Sequence, residues 1–157
     1  MSALEMIRSY IEYHVDMSRL VWESIGHITE EQFLADDGHF RGSIRDHMLY
    51  IISTDRRWLA ALKNQADMGP LNAQDYPTRE AACAFFESVS KDMENYIRWL
   101  GEPELESRAK DMPWPRWSII LHLINHGTHH RAIVLQRLAD FGAPVFDQDF
   151  LLWLRRQ

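Results

Sequence analysis

"LHLINHGTHHRAIVLQRL", residues 121 to 138, places four histidines within nine positions of an otherwise apolar run. On a wheel turning about 100° per residue, Ile119, Ile120, Leu123, Val134 and Leu138 gather on one side. The stretch therefore reads as a long amphipathic helix from about Arg116 to Phe141, stopped by Gly142 and Pro144. The centre of its apolar side lies roughly 60–90° from His126. His130 falls between His126 and that centre, so these two imidazoles point most deeply inward. His122 and His129 fall on the opposite flank, toward the polar boundary. Gly127 lies near the apolar centre, where its missing side chain leaves room beside the two imidazoles. Arg131 turns away from them and reads as structural.

Working outward, the rest of the chain repeats the pattern. Leu4, Ile7, Ile11, His14, Ser18, Val21 and Ile25 recur at spacings of three and four, which predicts a helix over 3–26. "TEEQF" adds a capped turn, with Thr29 as N-cap. "ADDGHFRGS", residues 35–43, breaks the pattern. A second long helix starts at the N-cap Ser43 and runs to about Asn64 through Ile44, His47, Met48, Ile51, Asp55, Trp58, Leu59 and Leu62. "QADMGPLNAQDYP" follows as a polar connection. The third begins near Thr78 with the stripe Ala82, Phe85, Phe86, Val89, Met93, Tyr96, Ile97 and Leu100, and Gly101 stops it. "EPELESRAKDMPWPRW" reads as an irregular connection into the histidine helix. A short amphipathic tail, "DQDFLLWLRRQ", closes the sequence. No stretch reads as a strand. The expectation is an all-α domain spanning 1–157: a four-helix bundle with a short helical tail.

Composition narrows the function classes. The 157 residues carry a net charge of −6, and the basic residues are scattered, so nucleic acid is not an expected partner. No apolar run is long enough to span a bilayer, and the N-terminus lacks the pattern of a signal peptide. With Cys83 as the single cysteine, no internal disulfide is possible. A cytoplasmic protein is expected. Cys83 itself, inside "AACAFF", reads as a small buried core residue.

His126 and His130 stand at i and i+4, neighbours that can share one metal ion. A third ligand is needed, and His47 near the start of the second long helix can complete a three-point cage between facing helices. The zinc-protease motif is excluded, because Gly127 follows His126 where a glutamate is required. His14, in the seam of the first helix, is expected to line the cavity. Asp55, two turns past His47, needs a buried partner: a histidine, as around a metal, or an arginine. Trp58 and the Trp114/Trp117 loop are candidates for the pocket mouth, and His129 for a further contact. Leu121, Ile124 and Leu135 form a second apolar strip, to be covered by the tail or by another copy.

The residues that carry the histidine helix, "HLINHGTHHRAIVLQRLADFGAP" with "DQDFLLWL" after it, resemble the DinB-like (DinB/YfiT-like) family of metal-dependent enzymes. "SIRDHMLYIISTDRRWLAAL" and "EYHVDMSRLVWESI" extend the resemblance over most of the chain. It implies a bundle with up-down-down-up helix order, often homodimeric, and one divalent metal on three histidines. At the matching positions those are His47, His126 and His130. It also implies action on a small-molecule substrate, with thiol-dependent transferases and isomerases among the characterised relatives. Three neutral imidazoles would leave a divalent ion (Zn, Ni or Fe) with open positions, the layout of a catalytic site. Such an ion can stabilise the thiolate of a low-molecular-weight thiol for S-transfer, or acidify a water for hydrolysis. The competing expectation is a non-catalytic metal-binding or stress-response interaction bundle.

Overall fold

The computed structural model describes residues 2–36, 38 and 41–156. Its elements in chain order are α1 (Ala3–Ile25), α2 (Glu30–Leu34), α3 (Ile44–Leu62), a 3-10 turn (Ala73–Asp75), α4 (Arg79–Trp99), α5 (Glu102–Glu106), α6 (Arg116–Asp140) and α7 (Phe150–Leu154). Among the described residues the regular structure is helical, apart from one isolated bridge between Arg108 and Pro115. No helix among them is long and apolar enough to cross a membrane.

The starts of these helices follow from local chemistry. Ser2 with Glu5, Thr29 with Gln32 and Ser43 with Asp46 form reciprocal capping boxes, so side chains satisfy backbone donors that the first turn leaves open. The four long helices match the expected segments to within two residues at each end. One connection differs from expectation: "EPELE" forms the short helix α5 instead of irregular chain. Pro103 sits in its first turn, where a missing N–H costs nothing, and Gly101 caps it rather than stopping α4, which has ended at Trp99. The expected break at 35–43 includes Asp37, His39 and Phe40, which lie outside the described residues.

Each long helix packs against two others, α1 and α3 both against α4 and α6. The core between them is two apolar clusters. One takes Leu4 to Met17 of α1, Leu59 and Leu62 of α3, Met93 to Leu100 near the end of α4, and Ile119 to Ile124 of α6. The other takes Val21 and Ile25, then Ile44 to Ile52, Ala82 to Val89, and Val134 to Leu138. Every long helix changes cluster at buried polar residues: His14 and Ser18 on α1, Ser53 and Asp55 on α3, Ser90 on α4, and His130 and Arg131 on α6. A polar layer thus crosses the middle of an otherwise apolar interior. Buried polar groups are tolerated when they satisfy one another, and an incomplete set is costly. That layer is where function is to be sought.

The tail closes over α1. Trp153 is buried and its Nε1 donates to Asp16 Oδ2 at 2.9 Å, while Phe150 stacks on Tyr10 with ring centroids 4.3 Å apart. Ile124 and Leu135 of the second strip are buried, Ile124 in the cluster that includes Trp153; Leu121 stays exposed. Cys83 is only half-buried, and burial raises its thiol pKa, so it is no ready nucleophile.

Candidate metal centre

His47 sits in the first turn of α3, where its backbone N–H donates to Ser43 O at 3.1 Å. The Ser43 cap therefore fixes the turn that carries it. Its Nδ1 lies 3.2 Å from Nδ1 of His130, which projects from the middle of α6. One turn earlier on α6, the His126 ring stands 4.6 Å from that of His130, centroid to centroid. The sequence-derived trio is thus brought together, at the level where the two apolar clusters part. Tyr50, one turn past His47, meets both His126 and His130 edge to face, at 4.8 and 4.9 Å. The Arg41 guanidinium lies over the Tyr50 ring, 3.5 Å from its centroid.

The imidazoles of His126 and His130 are held neutral. Burial pushes His126 down to about 4 and His130 down to about 3, from an ordinary 6.5. Neighbouring imidazoles push the same way, and Asp55 opposes them at His126. Neutral rings keep lone pairs free for a metal. Both nitrogens of His126 are buried without a hydrogen-bond partner. Leaving such groups unmatched costs about 1–3 kcal/mol each.

A divalent ion fits this chemistry in part. Imidazole–zinc bonds of about 2.0–2.1 Å put two nitrogens on one ion about 3–3.4 Å apart, and the His47–His130 separation lies in that range. As the rings are arranged, though, no group of three His, Cys, Asp or Glu side chains among the described residues has its donors placed to hold an ion. The donor set suits a transition metal; the donor placement does not yet close a three-point cage.

The cluster is reached from a cavity of about 570 Å³ whose lining includes Arg41, Tyr50, Ser53, Trp58, His122 and His126. Such a volume suits a small molecule. Trp58 forms part of the wall, its ring 5.6 Å from His122 and 6.3 Å from Trp114, edge to face in both cases. Neither Trp114 nor Trp117 lines it. Of the two flanking histidines, His122 lines the cavity, while His129 is exposed and touches only the back of the cluster through His130. Tyr50, Arg41 and His122 are the residues that sequence reasoning passed over as site members. A signal existed for Tyr50, which follows His47 by three and shares its helix face.

His14 and Asp55 meet, and His14 packs against Gly127. His14 Nε2 lies 3.0 Å from Asp55 Oδ2, and Arg131 Nη1 donates to His14 Nδ1 at 3.1 Å. Because Arg131 can only donate, His14 Nδ1 accepts and its Nε2–H donates to the carboxylate. Asp55 thus takes the histidine of its two expected partners. Arg131 is fully buried, which pushes its guanidinium down to about 10, still charged at neutral pH. It also donates to Ser18 Oγ, Thr128 Oγ1 and Gln148 Oε1. The gap at Gly127 is filled by His14 itself: a Cβ there would stand 2.3 Å from His14 Cε1. The wheel reading of Gly127 is corrected accordingly, since its gap serves His14 and not the two imidazoles, while Arg131 turns away from them as read and is buried as well. α6 packs on α1 as well as on α3, so it has two inward faces, and a single apolar centre describes only one.

The match that decides the family spans the entire chain: the DinB family model covers residues 1–157. This is a DinB-family protein. A search of curated proteins found no match. DinB membership is consistent with a metal-dependent enzyme, and the helix that carries the resemblance is the one whose His126 and His130 rings converge with His47.

Proposed function

We propose that this DinB-family protein is a metal-dependent enzyme in which His47, His126 and His130 hold one divalent transition ion, Zn, Ni or Fe, beside the 570 Å³ cavity that His126 lines. The observation that carries the reading is His126: a half-buried imidazole whose two nitrogens are buried and unmatched, beside a His–His pair already at ligand spacing. When bound, the ion would supply the positive charge that stabilises a thiolate or acidifies a water.

The substrate is a small molecule, and the reaction favoured is transfer of a low-molecular-weight thiol to a small electrophile. His122 places an exposed imidazole on the cavity wall, its ring 6.0 Å from His126, where it can take the thiol proton. Trp58 supplies an apolar ring face against which an electrophile can lie.

The helices belong, in this proposal, to an up-down-down-up four-helix bundle within one domain. Paired side chains support that order. His47 meets His130 while Trp58 meets His122, so α3 and α6 run antiparallel. Arg8 reaches Ile97 while Arg19 reaches Glu87, so α1 and α4 do too. Arg56 lies over Phe85 while Lys63 pairs with Asp92, so α3 and α4 run parallel. A homodimer is proposed from the family resemblance.

The test is consumption of a small thiol in the presence of an electrophile, with protein loaded with Zn or Ni. Activity that falls at least tenfold in His47→Ala and in His122→Ala, with metal retained in the second, supports the assignment. Metal-loaded wild type without turnover across a panel of thiols and electrophiles argues against thiol transfer.

A further inference from the structure

The polar layer contains a second constellation beside the three histidines, and it is one atom short of complete. Arg131 from α6, His14 from α1 and Asp55 from α3 form a line of two hydrogen bonds, 3.1 and 3.0 Å long, with exposures of 0%, 1% and 4%. Water does not reach it, and three helices contribute one residue each. The line uses one carboxylate oxygen only. Asp55 Oδ1 is buried and has no hydrogen-bond partner.

A buried carboxylate oxygen left unmatched is costly, and its natural complement is an N–H at the same level. Tyr50 touches His126 and Trp58 touches His122, so Asp55, between them on α3, is level with the turn of α6 that bears His126. His126 is the residue next to Gly127, against which His14 packs. Its two nitrogens are the unmatched ones. A neutral imidazole has one N–H and one lone pair, so a ring with an ion on one nitrogen must place an N–H elsewhere.

We infer that Asp55 is a positioning residue for His126, its free Oδ1 accepting the ring N–H so that the other nitrogen is presented to the ion. His14 and Arg131 orient the carboxylate: Arg131 fixes the His14 tautomer, and His14 Nε2–H holds Oδ2, which leaves Oδ1 unmatched and available to a His126 N–H once the two are brought within bonding distance. Metal-bound histidines commonly need such a partner to set ring and tautomer. The inference rests on the metal reading above, and it adds a claim about the metal-free protein as well.

Two measurements test it. In metal-free protein with ¹⁵N-labelled histidine, two-bond ¹H–¹⁵N spectra report the His126 tautomer. Wild type is expected to show one fixed tautomer, and Asp55→Asn a mixture. By competition with a chelator, zinc affinity is expected to fall 10–100-fold in Asp55→Asn. It should fall similarly in His14→Leu, and return to within a few-fold of wild type in His14→Gln, whose amide can still donate to Asp55 and accept from Arg131. A merely structural Asp55 would lower the unfolding midpoint while leaving both the tautomer and the affinity unmoved, and that result overturns the inference. If Asp55→Asn does not fold, the His14→Leu and His14→Gln pair decides on the same readouts. If wild type takes up no zinc, the metal reading fails and the tautomer experiment alone decides whether Asp55 holds His126.

Discussion

Nδ1 of His47 and Nδ1 of His130 lie 3.2 Å apart, tying the capped first turn of α3 to the middle of α6. Without a metal, one nitrogen must donate and the other accept, so the two rings share a proton. An ion between them would take the lone pair of each Nδ1, and the ring that carried the shared proton would move it to its Nε2.

The metal-free fold has its own pH dependence. Burial holds His126 near 4 and His130 near 3, whereas an unfolded chain protonates its histidines at about 6.5. Below about 6.5 the unfolded state therefore binds more protons than the folded one, and stability falls as pH drops from there toward 3. Above that window the contribution is fully present. Urea midpoints at pH 7, 6 and 5 should decline stepwise, and more shallowly in His130→Gln. A wild-type midpoint that is level or rising toward pH 5 contradicts the burial of neutral rings.

Gly127 is predicted to resist even alanine. The added Cβ would meet His14 Cε1 at 2.3 Å and Arg131 Nη1 at 2.8 Å. Alanine gains about 1 kcal/mol of helix propensity, and overpacking a buried site costs about 1–3 kcal/mol. With the Arg131–His14 contact displaced as well, Gly127→Ala should lose about 1–2 kcal/mol net by urea denaturation. A stabilised variant would mean that His14 yields freely.

Ser43 should matter beyond its size. Its hydroxyl accepts from the Asp46 N–H at 3.2 Å, and it is buried at the start of the helix that carries His47. Ser43→Ala is expected to cost about 1 kcal/mol. For a chain of this length that is a melting-point loss of about 2–4 °C. Thr29→Ala, capping only the five-residue α2, should cost less in the same scan.

The long helices were legible because their core positions recur at three and four, and Ser43 and Thr29 announce their starts. His47, His126 and His130 were legible because i,i+4 imidazoles on an inward face are a narrow pattern. Other features were hidden for a physical reason. A helical wheel assigns one inward direction, and α6 has two, so Arg131 is legible as turned away from His126 and His130 but not as fully buried against α1. The same error left Gly127 beside the wrong histidines. His122 was read as a flank residue because the cavity opens at the edge of the helix interface, not at its centre. Asp55 could be flagged as needing a partner, yet only the tertiary pairing of α1 with α3 selects His14 over an arginine.

The most direct test of the central claim is the metal content of protein purified without a polyhistidine tag, compared with His126→Ala and His130→Ala. The account predicts about one equivalent of transition metal in wild type, lost in both variants while helical circular dichroism persists. Wild type that stays empty and takes up neither added Zn nor added Ni would contradict it, leaving the histidines as members of a structural polar layer.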